Sequence, residues 1–97
     1  MAQGKSENRR VELRISGRVQ GVWFRAETRK AARTLGLVGM VRNMPDGTVH
    51  AVAEGPAHAL DQFVEYCLSG PPLASVTGVE KTWQEFTGSF DEFTITH

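Results

Sequence analysis

The chain has 97 residues, 40% of them hydrophobic, enough for one domain with a modest core and no second unit. Eleven basic and eleven acidic residues cancel, which excludes a net field able to hold a nucleic-acid backbone and makes any anion site a local one. The single cysteine, Cys67, excludes an internal disulfide, and no Cys/His cluster has zinc spacing.

His50, His58 and His97 are scattered and read as surface residues. Residues 1–9 are expected to form a flexible polar tail ahead of a domain at 10–97. Met1 to Asn8 lacks the apolar run of a signal peptide or membrane anchor, so a reduced, soluble, cytoplasmic chain is the expectation.

In chain order, Val11, Leu13 and Ile15 alternate with Glu12, Arg14 and Ser16, the period of a strand with one buried and one wet face. Gly17 to Arg25 then joins that strand to an amphipathic helix. Gly17 and Gly21 allow torsions closed to other residues, so the successive N–H groups of about Val19 to Phe24 can turn around one centre. A helix beginning near Trp23 adds its unpaired first N–H groups, and Arg25 adds a permanently charged fork. The stretch is an expected anion cradle. A Gly-x-x-x-Gly spacing also serves as a plain tight connection, and spacing alone leaves both readings open.

Phe24, Thr28, Ala31, Ala32 and Leu35 recur at helical spacing, and Gly36 supplies a stop. Arg29, Lys30 and Arg33 suit the negative end of the helix dipole. Arg25 does not, because it sits in the first turn, where positive charge is unfavourable without an anion. Gly39 to Asn43 reads as a second strand, Met44-Pro45-Asp46-Gly47 as a hairpin turn, and about Thr48 to Glu54 as a third strand. Gly55-Pro56 opens a second helix with proline at its first position, and Leu60, Phe63, Val64, Cys67 and Leu68 form its apolar stripe. Cys67 is therefore expected in the core. After Gly70-Pro71-Pro72, Val76, Val79, Lys81 and Trp83 mark a fourth strand with Gly78 as its bulge; Phe90, Phe93 and Ile95 mark a short last one.

This order, β-α-β-β-α-β plus a short terminal strand, predicts the α+β, ferredoxin-like split βαβ fold, with two helices on one face of an antiparallel sheet. A right-handed crossover through the first helix makes strands one and two parallel, so their carboxyl ends share an edge. Asn43, at the end of strand two, then lies beside the glycine loop and Arg25. It also reads as a turn-starting residue before Pro-Asp-Gly.

Gly17 to Arg25, Leu35 to Asn43 and Asp46-Gly47-Thr48-Val49, in that order, resemble the acylphosphatases. Gly55-Pro56, Gly70-Pro71 and Phe93 also fit, so the resemblance covers residues 10–97. Met40 departs from it, since many members carry tryptophan there. The resemblance implies hydrolysis of the carboxyl–phosphate bond of small acyl phosphates, a reaction whose carboxylate leaving group needs no metal or other cofactor; a monomer is expected because no long apolar stripe remains once the core is assigned. It assigns the phosphate to Arg25 and to the backbone of Gly17, Val19, Gln20, Gly21, Val22, Trp23 and Phe24, and the attacking water to Asn43. The only partner implied is the small-molecule substrate, with no nucleic acid and no membrane. An RNA reader of this fold would need exposed aromatics on its central strands and a basic surface, and neither is present. A regulatory domain that keeps the cradle without turnover stays open at this stage.

Overall fold

The computed structural model describes residues 7–97; residues 1–6 of the expected tail lie outside the described residues. The elements are β1 (Asn8–Arg18), α1 (Phe24–Thr34), β2 (Val38–Asn43), β3 (Val49–Pro56), α2 (Ala57–Ser69), β4 (Ser75–Glu85) and β5 (Phe93–Ile95). The strand read from the alternation of Val11 to Ser16 begins earlier, at Asn8, because Asn8 pairs with Pro56 and Arg9 with both Gly55 and Glu85.

The sheet order is β4-β1-β3-β2-β5. β1 and β2 are both antiparallel to β3 and therefore share a direction, as the crossover through α1 requires. The four long strands form the expected antiparallel body, and β5 adds to β2 in parallel. The parallel pairing follows from connectivity: a chain that leaves β4 and turns once runs opposite to it, which is already the direction of β2.

Alternation places Val11, Leu13 and Ile15 fully buried beneath the helices, with Val41, Val49, Ala51 and Ala53 beside them on the same face. Phe24, Thr28 and Ala32 of α1 and Leu60, Phe63, Val64 and Cys67 of α2 close that core. Phe63 meets Phe93 of β5 at 5.7 Å between ring centroids. Burial pushes the Cys67 thiol up to about 12, so it is a core atom and not a nucleophile. Leu68, in the last turn of α2, is half exposed.

Local signals set most element ends. Gly36, at φ 74°, closes α1 with Leu37 N–H on the Ala32 carbonyl at 2.9 Å and Gly36 N–H on Arg33 at 3.0 Å, the paired bonds of a Schellman end. Pro56 is the N-cap of α2 and the last residue of β3, so the helix starts one residue later than expected. The β1–β4 register shifts between Ser16 and Gly17, where Gly78 and Val76 are the partners and Thr77 is the extra residue beside the expected bulge.

The open face of the sheet is polar and linked across strands. His50, expected at the surface, is half-buried there and pairs with Glu12 at 2.6 Å. Gln84 donates to Glu12 at 3.1 Å and accepts from Arg10 at 2.8 Å. Arg10 reaches Glu54 at 3.0 Å, and the fully buried Glu54 carboxylate also accepts from Thr87 N–H, Thr87 hydroxyl and Gly88 N–H. Phe90 lies outside β5 and covers the Arg10 guanidinium at 5.6 Å. Among the described residues no helix is long and apolar enough to cross a membrane.

Candidate active site

The segment between β1 and α1 is fixed in the fold by its apolar residues. Val19 and Val22 are 1% and 5% exposed, so the loop is anchored in the core on both sides of Gln20-Gly21. Gly17, at φ 121°, marks its start; a Cβ there would run into the Ser75 carbonyl oxygen and lie 2.8 Å from Thr77 N. Gly21 and Trp23 both take left-handed torsions, at φ 73° and 65°. For a tryptophan that conformation costs about 1–3 kcal/mol, and it persists only where the surroundings enforce it.

Trp23 is the N-cap of α1 and makes no side-chain cap bond. Among the described residues, the backbone N–H groups of Gln20 to Ala26 have no hydrogen-bond acceptor in the chain. A run of uncommitted donors at a helix start is the geometry of an anion site. The Gln20 side chain acts elsewhere, its amide donating to the Met44 carbonyl at 2.8 Å and the Thr48 carbonyl at 2.9 Å. It ties the loop to the β2–β3 hairpin, next to Asn43.

A cavity of about 520 Å³ opens at this edge. Its walls bring together Val19, Gly21, Trp23, Phe24 and Arg25 from the loop and helix start with Asn43 from the end of β2. Of the expected site residues, Gly17, Gln20 and Val22 do not line it; they shape the loop from behind. Arg25 forms no ion pair with the described residues. The Asn43 amide oxygen is buried and has no donor among the described residues. Thr28 Oγ1, Arg42 Nε and His50 Nδ1 are likewise buried without a partner among the described residues, but of these four atoms only Asn43 Oδ1 belongs to a residue lining this cavity, where a ligand or water can reach it.

Two further side chains in the wall were not legible as site residues. His97, read as a surface residue, reaches the cavity because β5 is parallel to β2, with Ile95 opposite Val41 and Thr96 N–H on the Val41 carbonyl at 2.9 Å. Arg29, one turn after Arg25, also lines it. Among the described residues, the lining thus holds two guanidinium groups and no carboxylate side chain.

The chain is similar to known proteins along most of its length. A family model described as Acylphosphatase matches residues 11–95. The chain is 49% identical over 87 residues to an acylphosphatase of Methylococcus capsulatus, covering 90% of this chain and 95% of that protein. The chain belongs to the acylphosphatase family. The solved acylphosphatase of Bacillus subtilis is similar with a TM-score of 0.89 at 36% identity, covering 92% of this chain and 99% of that one. The acylphosphatase of Coxiella burnetii follows at 0.82 and 34%, covering 92% and 93%. The α+β, ferredoxin-like fold expected from element order is therefore the fold observed. Met40, the departure from the family pattern, contacts Thr96 Oγ1 through its sulfur at 3.6 Å and is not among the residues lining the cavity.

Proposed function

We propose that this acylphosphatase-family chain hydrolyses the carboxyl–phosphate bond of small acyl phosphates, with Arg25 and the loop N–H groups holding the phosphate and Asn43 holding the water. The observation that carries this reading is the presence, on one cavity, of a guanidinium without an ion-pair partner and an amide oxygen without a donor among the described residues.

The chemistry needs little more. The bond that breaks joins phosphorus to the acyl oxygen, and the leaving carboxylate has a conjugate-acid pKa near about 4, so it departs unprotonated at neutral pH. Phosphoryl transfer passes through a loose transition state with charge spread over the equatorial oxygens. Arg25 and the N–H groups from about Val19 to Phe24 stabilise that charge, and no metal is required for it. The Asn43 amide oxygen accepts a hydrogen bond from water and aims its lone pair at phosphorus. The new bond joins water oxygen to phosphorus, and the water's proton passes to a phosphate oxygen. The products are carboxylate and inorganic phosphate. Loop, arginine and asparagine all come from one chain, so the site is complete in a monomer, and a buried, reduced Cys67 suits a cytoplasmic setting.

A phosphate monoester leaves as an alkoxide or phenoxide of much higher pKa, and this mechanism supplies no proton to it. Phosphate release from benzoyl phosphate and from phenyl phosphate, both with a metal chelator, tests this. Fast release from benzoyl phosphate alone is expected; chelator-sensitive release, or comparable release from both, contradicts it.

A further inference from the structure

Arg25, Arg29 and Arg33 recur every fourth residue and form one stripe of α1. The stripe runs from the glycine loop along β5. At its far end Arg33 is committed: Nε donates to the Phe93 carbonyl and Nη2 pairs with Glu92, both at 3.2 Å. At its near end Arg25 is the phosphate ligand proposed above. Arg29 lies between them, half-buried in the cavity wall with Ile95 and His97, and has no hydrogen bond or ion pair with any described residue.

The helix dipole does not explain Arg29. It is the sixth of eleven residues in α1, beyond the first and last turns where the terminal partial charges act. A guanidinium drawn partly out of water, with no Asp or Glu side chain among the described lining residues, is a binding group for an anion. The space fits as well. About 520 Å³ falls in the range of roughly 300–1,000 Å³ that houses small organic ligands. Four residues of helix rise about 6 Å, the span of a short acyl chain or a single aromatic ring.

We propose that Arg29 determines substrate specificity by binding a second anionic oxygen group at the distal end of the acyl portion. The proposal rests on the assignment of Arg25 and Asn43 and narrows it: acyl phosphates that carry a distal carboxylate or phosphate are favoured over neutral ones. Phosphate on Arg25 and the distal anion on Arg29 fix the substrate at two points, with Trp23 and Ile95 as apolar wall between loop and strand.

The test uses 3- and 4-carboxybenzoyl phosphate against the matching carbamoylbenzoyl phosphates, neutral partners of nearly the same size. The ratio of kcat/KM for each pair is measured in the unsubstituted protein and in Arg29→Gln, so that intrinsic reactivity cancels between proteins. One carboxylated isomer is expected to be favoured at least about fivefold, as one charge pair near a surface supplies. Arg29→Gln brings that ratio to about one, Arg29→Lys keeps part of it, and added salt weakens it. Because each ratio is taken within one protein, a partly unfolded variant still gives it; if Arg29→Gln does not fold, Arg29→Lys and the salt series decide. A ratio at or below one in the unsubstituted protein, or a ratio unchanged in Arg29→Gln, overturns the proposal. Equal turnover of charged and neutral partners leaves acyl phosphate hydrolysis standing and removes only Arg29. No turnover of any of them removes both.

Discussion

Gln20 joins the two halves of the site. Its Nε2 spans the Met44 and Thr48 carbonyls, so the loop that presents the N–H groups cannot move independently of the strand end that presents Asn43. Positioning of this kind acts on the rate more than on phosphate binding. Gln20→Ala is expected to lower kcat on benzoyl phosphate about 10- to 100-fold and to raise the inhibition constant of inorganic phosphate much less; steady-state kinetics with phosphate as inhibitor checks this. Arg25 and Asn43, which line one cavity, stood out in the sequence because each is odd in its local setting. One is a cation at the positive end of a helix, and the other a polar residue continuing an apolar row. Gln20, Arg29 and His97 were not. Gln20 offered only its backbone to a sequence reading, Arg29 was grouped with Lys30 and Arg33 as a complement to the helix dipole, a role its mid-helix place does not support, and His97 reaches the cavity only through a strand pairing that no short-range pattern encodes.

At the scale of elements, periodicity made β1, α1, β2 and α2 readable because each has one buried row or stripe, whereas β3, buried on both faces from Ala51 to Gly55, was marked by the turn before it, and β4, which has no buried residue, by its spaced apolar residues Val76, Val79 and Trp83. The conformation of the helix start was not readable. Nothing about tryptophan signals a left-handed residue, and α1 begins with no Ser, Thr, Asp or Asn as cap. The physical sense of that omission lies in the loop: a capping side chain would occupy the first-turn N–H groups, which here remain uncommitted. The extent and direction of β5 were also hidden. Three residues carry too little pattern to fix a partner, and the strand is held from outside by Arg33 and by the Phe63–Phe93 contact. Phe90 looked like part of it because an aromatic residue on Arg10 and one in a strand leave the same trace in a sequence.

Across the whole molecule, zero formal charge coexists with a cavity wall carrying two arginines, because the acidic residues lie elsewhere, several of them on the open sheet face. That face sets the acid limit of stability. The hydrogen bond with His50 holds the Glu12 carboxyl below its usual range. Desolvation works to raise the Glu54 carboxyl, but the donors of Thr87, Arg10 and Gly88 outweigh it and hold that group low as well. Both carboxyls therefore bind fewer protons folded than unfolded between their two values. Their stabilisation is present in full above the unfolded value of 4.5 and is lost as pH falls through the folded values. Thermal melts are expected to give a flat Tm down to about pH 5 and a decline below it, shallower in Glu54→Gln, which starts from a lower Tm because Arg10 loses its charged partner. A Tm that rose on acidification would contradict this.

The division of labour between cradle and water holder is tested most directly by one substitution, Asn43→Ala, with kcat on benzoyl phosphate and the competitive inhibition constant of inorganic phosphate measured together. A water-positioning role for Asn43 predicts that kcat falls by at least about 100-fold, the scale of losing a preorganised polar contact at a transition state, while phosphate still binds within about twofold of the unsubstituted protein. A kcat within about threefold of the original, or phosphate binding lost in step with the rate, would contradict it.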